Sequence, residues 1–241
     1  MSLDGKLVLI TGAAKRVGRH LALTAARAGA DLVIHFGSSQ DEAQSLAGEI
    51  AALGRQAHLL QADLNNPAQV EALLPRLDEF GTLFALVNNA AIFDPLTWEN
   101  TSLQDWNRNL MINLTAPFLL SQAFARQVPP DGSGRIINML DWRALRPGTD
   151  HLPYTISKAG LAALTQALAV SLAPRITVNA LALGAILPPS QGSAPPNIEQ
   201  KVPARRWADL DEVGQAMLFL LDGPAYITGE IIHVDGGRHL V

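Results

Sequence analysis

The feature that most constrains this chain is a rhythm. Short apolar runs of strand type alternate with segments of helical period along the whole sequence. Residues 6–11, 32–36, 57–61, 83–88, 135–140, 176–181 and 230–234 read as strands. The first helix opens at Gly12 to Gly18, carries Leu21, Ala25 and Ala28 on one side, and stops at Gly29. A second runs from about residue 40 with Ala43, Leu46, Ile50 and Leu53 on one face, closed by Gly54. Asn66-Pro67 has the form of a helix cap followed by a first-turn proline, predicting a helix over 67–80. A long helix is predicted over 103–128, bent at Pro117. Two more are predicted over 154–172 and 211–221, the former with Leu161, Leu164, Leu168 and Leu172 in line. Strands alternating with helices require a parallel sheet covered on both faces. The expected fold is therefore α/β: a Rossmann-type doubly wound parallel sheet in three layers, one domain over residues 1–241. Residues 184–206, with prolines among Ser, Gly and Gln, break the rhythm and are expected to form a substrate loop.

Composition narrows the function. Nearly half the residues are hydrophobic (48 %), enough for a buried core. Acidic residues outnumber basic ones, 22 to 18, and no long basic run exists, so no nucleic-acid partner is expected. The absence of cysteine removes disulfides, thiolate nucleophiles and cysteine metal sites. The six histidines have no metal-ligand spacing, so no metal is expected. The beginning leads straight into a strand, without a signal peptide. No uninterrupted apolar stretch reads as long enough to span a membrane. The expectation is a soluble, cytoplasmic protein with no membrane partner.

In a doubly wound sheet, ligands lie beyond the carboxyl ends of the strands, where strand order reverses. The turn Thr11-Gly12-Ala-Ala-Lys15-Arg16-Val17-Gly18, Asp63, the stretch from Asn88 to Phe93, and Asp141 all follow strands and so face one crevice. Gly12 permits the tight first turn, and the helix start behind it is suited to a pyrophosphate. NAD sites place a carboxylate at the end of the second strand. Here the chain reads His35-Phe36-Gly37-Ser38-Ser39. No acid repels a 2′-phosphate, Ser38 and Ser39 can donate to one, and Lys15 and Arg16 follow the first strand, so the cofactor expected is NADPH. Tyr154 and Lys158, four apart on one helix, share a face. A lysine beside a phenol favours phenolate, which would bring the tyrosine toward neutral pH as a proton donor or acceptor. Asp141 ends the strand thirteen positions upstream.

Thr11-Gly12…Gly18, Asp63-Leu64, Asn88-Asn89-Ala90, Asn113, Tyr154-x-x-x-Lys158 and the run from Tyr226 to Gly237 together resemble the short-chain dehydrogenase/reductase family. The resemblance covers nearly the whole chain, in the family's order. It implies that Asp63 and Leu64 hold the adenine and that Asn89 and Ala90 line the middle of the cofactor. It further implies that Lys158 binds the nicotinamide ribose, Tyr154 donates a proton, and Asn113 supports a relay through water. A homotetramer is implied as well. Gly184 joins Gly12, Lys15, Arg16, Val17, Gly18, Ser38, Ser39, Tyr154 and Lys158 as an expected cofactor contact.

The departures from that pattern carry the substrate information. Arg16 replaces the usual middle glycine, Ala91 the glycine after Asn-Asn-Ala, Leu183 a proline, and Pro188 a threonine. Asp141 replaces the usual catalytic serine. A serine hydroxyl can donate to a developing oxyanion; a carboxylate cannot. At ~4 Å and an effective dielectric near ~20, like charges repel by roughly 4 kcal/mol, about a thousandfold in rate. An imine nitrogen, by contrast, gains a proton as its carbon gains hydride, and an acid assists it. Arg16, Phe93, Asp141 and the Tyr154/Lys158 pair are similar to the pteridine reductase branch. Asp141-Trp142, Arg146-x-Gly148 and the ending from Asp235 to Leu240 look like the bacterial dihydromonapterin/dihydrofolate reductases. By that resemblance Phe93 stacks a pterin on nicotinamide, Arg16 contacts pterin or phosphate, and Asp141 with Tyr154 supplies the ring proton. The expected activity is NADPH-dependent reduction of a pterin C=N bond. The alternatives are a carbonyl reductase whose Asp141 is protonated, and a dinucleotide-binding regulator without turnover.

Overall fold

The computed structural model describes residues 3–188 and 197–241. Seven strands form a single sheet: β1 Leu7–Ile10, β2 Asp31–Phe36, β3 Ala57–Gln61, β4 Leu83–Asn88, β5 Gly134–Asp141, β6 Ile176–Leu183 and β7 Ile231–Val234. They lie in the order β3-β2-β1-β4-β5-β6-β7, and every neighbouring pair is parallel. Strand order therefore reverses between β1 and β4, which makes a crevice at their carboxyl ends.

The helices are α1 Arg16–Arg27, α2 Gln40–Ala52, α3 Pro67–Arg76, α4 Leu103–Leu110, α5 Ala116–Gln127, α6 Leu152–Leu172 and α7 Leu210–Asp222. The two-residue alternation of β1 explains the layers. Val8 and Ile10 point to one face, where they pack with Leu21 and Ala25 of α1, Leu46 and Ile50 of α2, and Val213 and Met217 of α7. Leu7 and Leu9 point to the other, with Val70 and Leu73 of α3, Leu120 and Phe124 of α5, and Ala169 of α6. This is the three-layer architecture expected from the alternation.

The structure amends the predicted elements in four places. The segment 103–128 is not one bent helix: α4 gives way to a π-turn, Met111–Thr115, before α5 begins. Pro117 has no N–H for the carbonyl of Asn113, and the chain takes up that loss just before the proline rather than by bending at it. The third helix ends in a 3₁₀ turn, Leu77–Phe80. Helix α6 begins two residues early, preceded by His151 in the left-handed region at φ 53°. It is also long and apolar enough, by length and composition alone, to match a membrane span, contrary to the sequence expectation. Its place is against β5 and β6, with Leu161, Ala162, Thr165 and Ala169 buried, as befits a core helix of the sheet. Of the expected substrate loop, residues 189–196 lie outside the described residues. The remainder is partly ordered by a 3₁₀ turn, Ile198–Lys201, whose Ile198 packs with Ala185, Val202 and Trp207.

Candidate active site

The crevice has two ends, and the first is made by the turns after β1 to β4. Gly12, at φ 61°, brings its backbone so close to β4 that an added Cβ would meet the Ala90 Cα at 3.0 Å. A Cβ on Gly18 would lie 2.2 Å from the Gly12 carbonyl oxygen and 2.6 Å from Asn89 Nδ2. Only glycine allows this approach of helix to turn. Thr11 Oγ1 accepts the N–H groups of Asn89 and Ala90 at 2.9 and 3.0 Å. Asn89 Nδ2 donates to the carbonyls of Thr11 and Gly12 at 2.9 and 3.2 Å. Asn89 thus fastens β4 to the first turn with its own side chain.

His35, which the sequence shows only as part of a strand end, completes this network. The Gly12 N–H donates to His35 Nδ1 at 3.2 Å, so Nε2 carries the proton toward the Ala62 carbonyl at 3.1 Å. The ring is 2 % exposed, and burial pushes its pKa down to about 4. A neutral histidine therefore ties together the ends of β1, β2 and β3. A histidine inside an otherwise apolar run was the available signal.

The N-terminus of α1 is left free of competing groups. No side chain caps it, and its first turn has no acidic residue. Arg16 stands at φ 54°, a left-handed conformation that costs a non-glycine residue roughly 1–2 kcal/mol. The family's usual glycine at this position has its physical reason there. Arg16's guanidinium donates to the Pro188 carbonyl, linking the first turn to the expected substrate loop. Lys15 pairs with Glu42 at 2.7 Å, both about half exposed, so solvent screens the pair and it adds little. Val17 lies in the first turn of α1, and Ser38 and the uncapping Ser39 lie between β2 and α2. Asp63 is exposed after β3, where its Oδ1 accepts from the Asn65 N–H at 2.9 Å. Leu64 is only 6 % exposed, so its side chain serves the core below the crevice.

These features fit a dinucleotide: glycines where a Cβ would fill the cradle, an uncapped helix start, and no carboxylate from Phe36 to Ser39 to oppose a 2′-phosphate.

The second end is built by β5, α6 and the turn Trp142–Ala144. Asp141 ends β5, and its Oδ1 accepts the Arg143 N–H at 2.9 Å. Arg143 Nη1 lies 3.8 Å from the same oxygen, while Nη2 pairs with Asp150 at 3.1 Å. Desolvation raises the Asp141 pKa from its ordinary value; the Arg143 N–H and the charges of Arg143, Lys158 and Arg238 oppose the shift without cancelling it. Tyr154 is 7 % exposed, and its pKa lies well above that of a free phenol. Burial is the first cause, followed by the negative charge of Asp141 and a hydrogen bond to it.

This reverses one expectation. Lys158 does not draw Tyr154 toward phenolate. Its Nζ is 5.8 Å from the Tyr154 ring centroid and donates instead to the Met139 carbonyl at 2.7 Å. Burial takes Lys158 down to about 8, and Asp141 pulls it the other way. The helical spacing did place both residues on one face, but tertiary burial and Asp141 determine their acidity.

Asn113, in the π-turn and fully buried, exchanges two hydrogen bonds with the Ile92 backbone and donates to Ser157 Oγ at 3.1 Å. Ser157 donates in turn to the Tyr154 carbonyl at 2.7 Å. Asn113 is thereby coupled to α6 directly beneath Tyr154. Phe93 is 41 % exposed and meets Tyr154 edge-on at 4.7 Å. His151, missed in the sequence, stacks on Phe93 at 3.7 Å with an interplanar angle of 10°. One face of Phe93 is therefore already covered. Gly184 follows β6 and abuts Asp235, whose Cα a Cβ there would meet at 2.7 Å. The structure thus gathers Asp141, Tyr154, Lys158 and Phe93 at one end. Ser38, Ser39 and Asp63 belong to the other, across the β1/β4 switch. No group of three or more potential metal ligands occurs among the described residues.

Strand order, first turn and the Tyr154/Lys158 helix together define an α/β oxidoreductase. The chain belongs to the short-chain dehydrogenase/reductase family. Residues 12–239 match the family profile described as enoyl-(acyl carrier protein) reductase. A 3-oxoacyl-[acyl-carrier-protein] reductase from Synechocystis sp. is 34 % identical over 243 residues, covering 98 % of each chain. Among solved structures, FolM alternative dihydrofolate reductase 1 from Brucella canis, complexed with NADP, superimposes with a TM-score of 0.91. It is 33 % identical, with 100 % of this chain and 97 % of that one covered. A short-chain dehydrogenase from Burkholderia cenocepacia in complex with NADP gives a TM-score of 0.91 at 34 % identity, with 99 % of both chains covered.

Proposed function

We propose that this oxidoreductase uses NADPH to reduce a C=N bond in a pterin of the dihydropteridine, dihydromonapterin or dihydrofolate class. The observation that carries the reading is Asp141: a partly buried carboxyl group of raised proton affinity beside Tyr154, where the family customarily has an alcohol. The NADP complexes of the similar structures support the cofactor. Gly12, Lys15, Arg16, Val17, Gly18, Ser38, Ser39, Asp63, Leu64, Asn89, Ala90, Gly184, Tyr154 and Lys158 are the residues assigned to hold it. NADPH, when bound, supplies a hydride, which adds to the ring carbon while the ring nitrogen takes a proton.

The chain's own groups supply that proton. Asp141 holds one more readily than an exposed carboxylate, because burial penalises its charged form. Tyr154 stays a neutral phenol beside it and keeps the carboxyl in place. Lys158, anchored on the Met139 carbonyl, contributes positive charge on the same side. Asn113 fixes the helix turn below through Ser157 and supports the relay through water. Phe93, 41 % exposed between His151 and the Arg143 guanidinium 5.6 Å from its ring, is assigned to stack on a flat heterocycle, and Arg16, which donates to the Pro188 carbonyl, is assigned to contact it.

The second reading is carbonyl reduction, favoured by the similarity to 3-oxoacyl-[acyl-carrier-protein] reductase. There Asp141 would act in its protonated form, donating to the developing oxyanion. The deciding experiment is NADPH oxidation with dihydrofolate, dihydrobiopterin, dihydromonapterin, a diketone and a 3-oxoacyl thioester in parallel. Turnover of dihydropterins at least tenfold above ketones supports the first reading; brisk ketone reduction with no dihydropterin consumed overturns it. Homotetramer assembly belongs to the same proposal. Exposed Phe118 on α5 and Ile156 and Val170 on α6 support it, and light scattering after size exclusion tests it. A cytoplasmic location is part of it too, checked by fractionation.

A further inference from the structure

Residues 235–241 hold an arrangement that the roles of Asp141 and Tyr154 leave unused. Asp235 is 4 % exposed and both its oxygens are engaged. Oδ1 accepts the Gly237 N–H at 2.9 Å; Oδ2 accepts the His239 N–H at 2.9 Å and faces His239 Nδ1 at 2.8 Å. Gly236 and Gly237 have φ of 62° and 83°, open to glycine at little cost. The chain reverses directly after β7, and the turn Arg238–Leu240 packs on the turn Trp142–Ala144. The Arg238 guanidinium carbon comes to rest 4.2 Å from the Trp142 ring, and that of Arg143 lies 4.9 Å from the same ring. Arg146 donates to the Arg238 carbonyl at 3.4 Å.

Two guanidinium groups around one indole repel each other, and the Arg238 pKa is lowered first by burial and then by the charge of Arg143. Cation–π attraction to the Trp142 ring offsets part of that repulsion, and neighbouring carboxyl groups offset more of it. Asp141, the residue before Trp142, is the one of these carboxyl groups that lies beside Tyr154. The charged groups acting on it are Arg143 from the turn 142–144, Lys158 from α6 and Arg238 from the turn 238–240. Tyr154 of α6 faces it as a neutral phenol. Strand β6, paired alongside, contains no charged residue. Arg238 in turn also feels Asp150 and Asp235.

We propose that Arg238 is a positioning residue of the active site: held on Trp142 by the Asp235-anchored turn, it supplies one of three positive charges around Asp141 and sets how readily that carboxyl group releases its proton. The proposal rests on Asp141 as the proton source, whichever substrate receives the proton.

The test is the pH dependence of kcat/KM for the parent protein, Arg238→Gln and Arg238→Lys at low ionic strength. It uses whichever of the dihydropterin or ketone substrates is turned over. Loss of one cation near Asp141 should move the alkaline limb of Arg238→Gln upward by about half to one pH unit. Arg238→Lys should restore at least half of that shift, and NADPH affinity should stay within about twofold in both. Arg238→Met keeps an apolar contact with the indole and serves if the Gln variant does not fold. A Gln or Met profile superimposable on the parent overturns the proposal, as does an equal shift in the Lys variant, which would make the effect one of packing. A normal Arg238 shift seen on ketones alone would sink the pterin reading and leave this one standing. Dihydropterin turnover without the shift would do the reverse.

Discussion

The two ends of the crevice are built on opposite principles. Around Gly12 and Gly18 the groups that join the turns are neutral and mostly backbone: Thr11, Asn89 and an uncharged His35 satisfy one another, while Lys15 and Arg16 are engaged by Glu42 and the Pro188 carbonyl. Around Asp141 the structure concentrates charge instead, with Asp150 on Arg143 and a partly buried carboxyl group whose proton affinity is set by desolvation against three cations. A neutral scaffold suits a ligand whose phosphates are always charged, since nothing in the cradle need change during turnover. A charged cluster suits a step in which a proton moves, because small changes in the surroundings alter the acidity of the donor. The difference teaches where pH and mutation should act on chemistry and where they should act on stability and cofactor binding.

The largest effect that would break or sharpen this contrast is at Asp141. Replacing it by Ala should lower kcat/KM for a dihydropterin about a thousandfold, the scale of a lost general acid, with NADPH affinity changed less than about threefold. Equal losses in turnover and in cofactor binding, measured by fluorescence titration, would dissolve the division between the two ends. In the parent, the rate should fall as pH rises through the raised Asp141 pKa, since only the protonated form can deliver.

At the other end, His35 predicts a stability effect with a defined sign. Its folded pKa, about 4, lies below its ordinary value of 6.5. Between those values the unfolded chain binds more protons, so His35's contribution is full above pH 6.5 and is lost as pH falls toward 4. The whole window amounts to at most about 3 kcal/mol. Urea unfolding of the parent and of His35→Gln from pH 7.5 to 4 should show the parent losing more stability on acidification. Parallel curves would refute the neutral-scaffold account. Gly18→Ala comes next. Its Cβ would overlap the Gly12 carbonyl and Asn89, and relieving that should cost about 1–3 kcal/mol of stability. NADPH should bind about tenfold more weakly.

The fold was largely legible because buried parallel strands announce themselves as apolar runs bounded by turn residues, and seven such runs became seven strands. The close approach of the first turn to the end of β4 was legible for the same reason: Gly12, Gly18 and Asn89 are local to strand ends. The π-turn at Met111–Thr115 was hidden, since a single extra residue per turn leaves the helical period of 103–128 almost unchanged. The acidity of Tyr154 was misread because i,i+4 spacing reports only the neighbour on the same helix. Its burial and the partnership of Lys158 with Met139 are products of tertiary packing. His151 over Phe93 and Arg238 over Trp142 join residues far apart in sequence, with no local pattern to reveal them.

The smallest effect is the most discriminating, because Arg16 belongs to both ends at once. Its backbone stands in the first turn at φ 54°, while its guanidinium donates to the carbonyl of Pro188, in the segment expected to form the substrate loop. Arg16→Gly should remove the left-handed strain and raise stability by up to about 1 kcal/mol, a few degrees in Tm. Because the cradle is made by the backbone of this turn, NADPH affinity should change by less than about threefold. KM for a dihydropterin should rise several-fold, since the side chain that reaches toward the substrate side is gone. A variant that binds substrate normally but loses NADPH would reassign Arg16 to the phosphates. A lower Tm would show that its link to Pro188 outweighs the strain of holding an arginine where glycine is at ease.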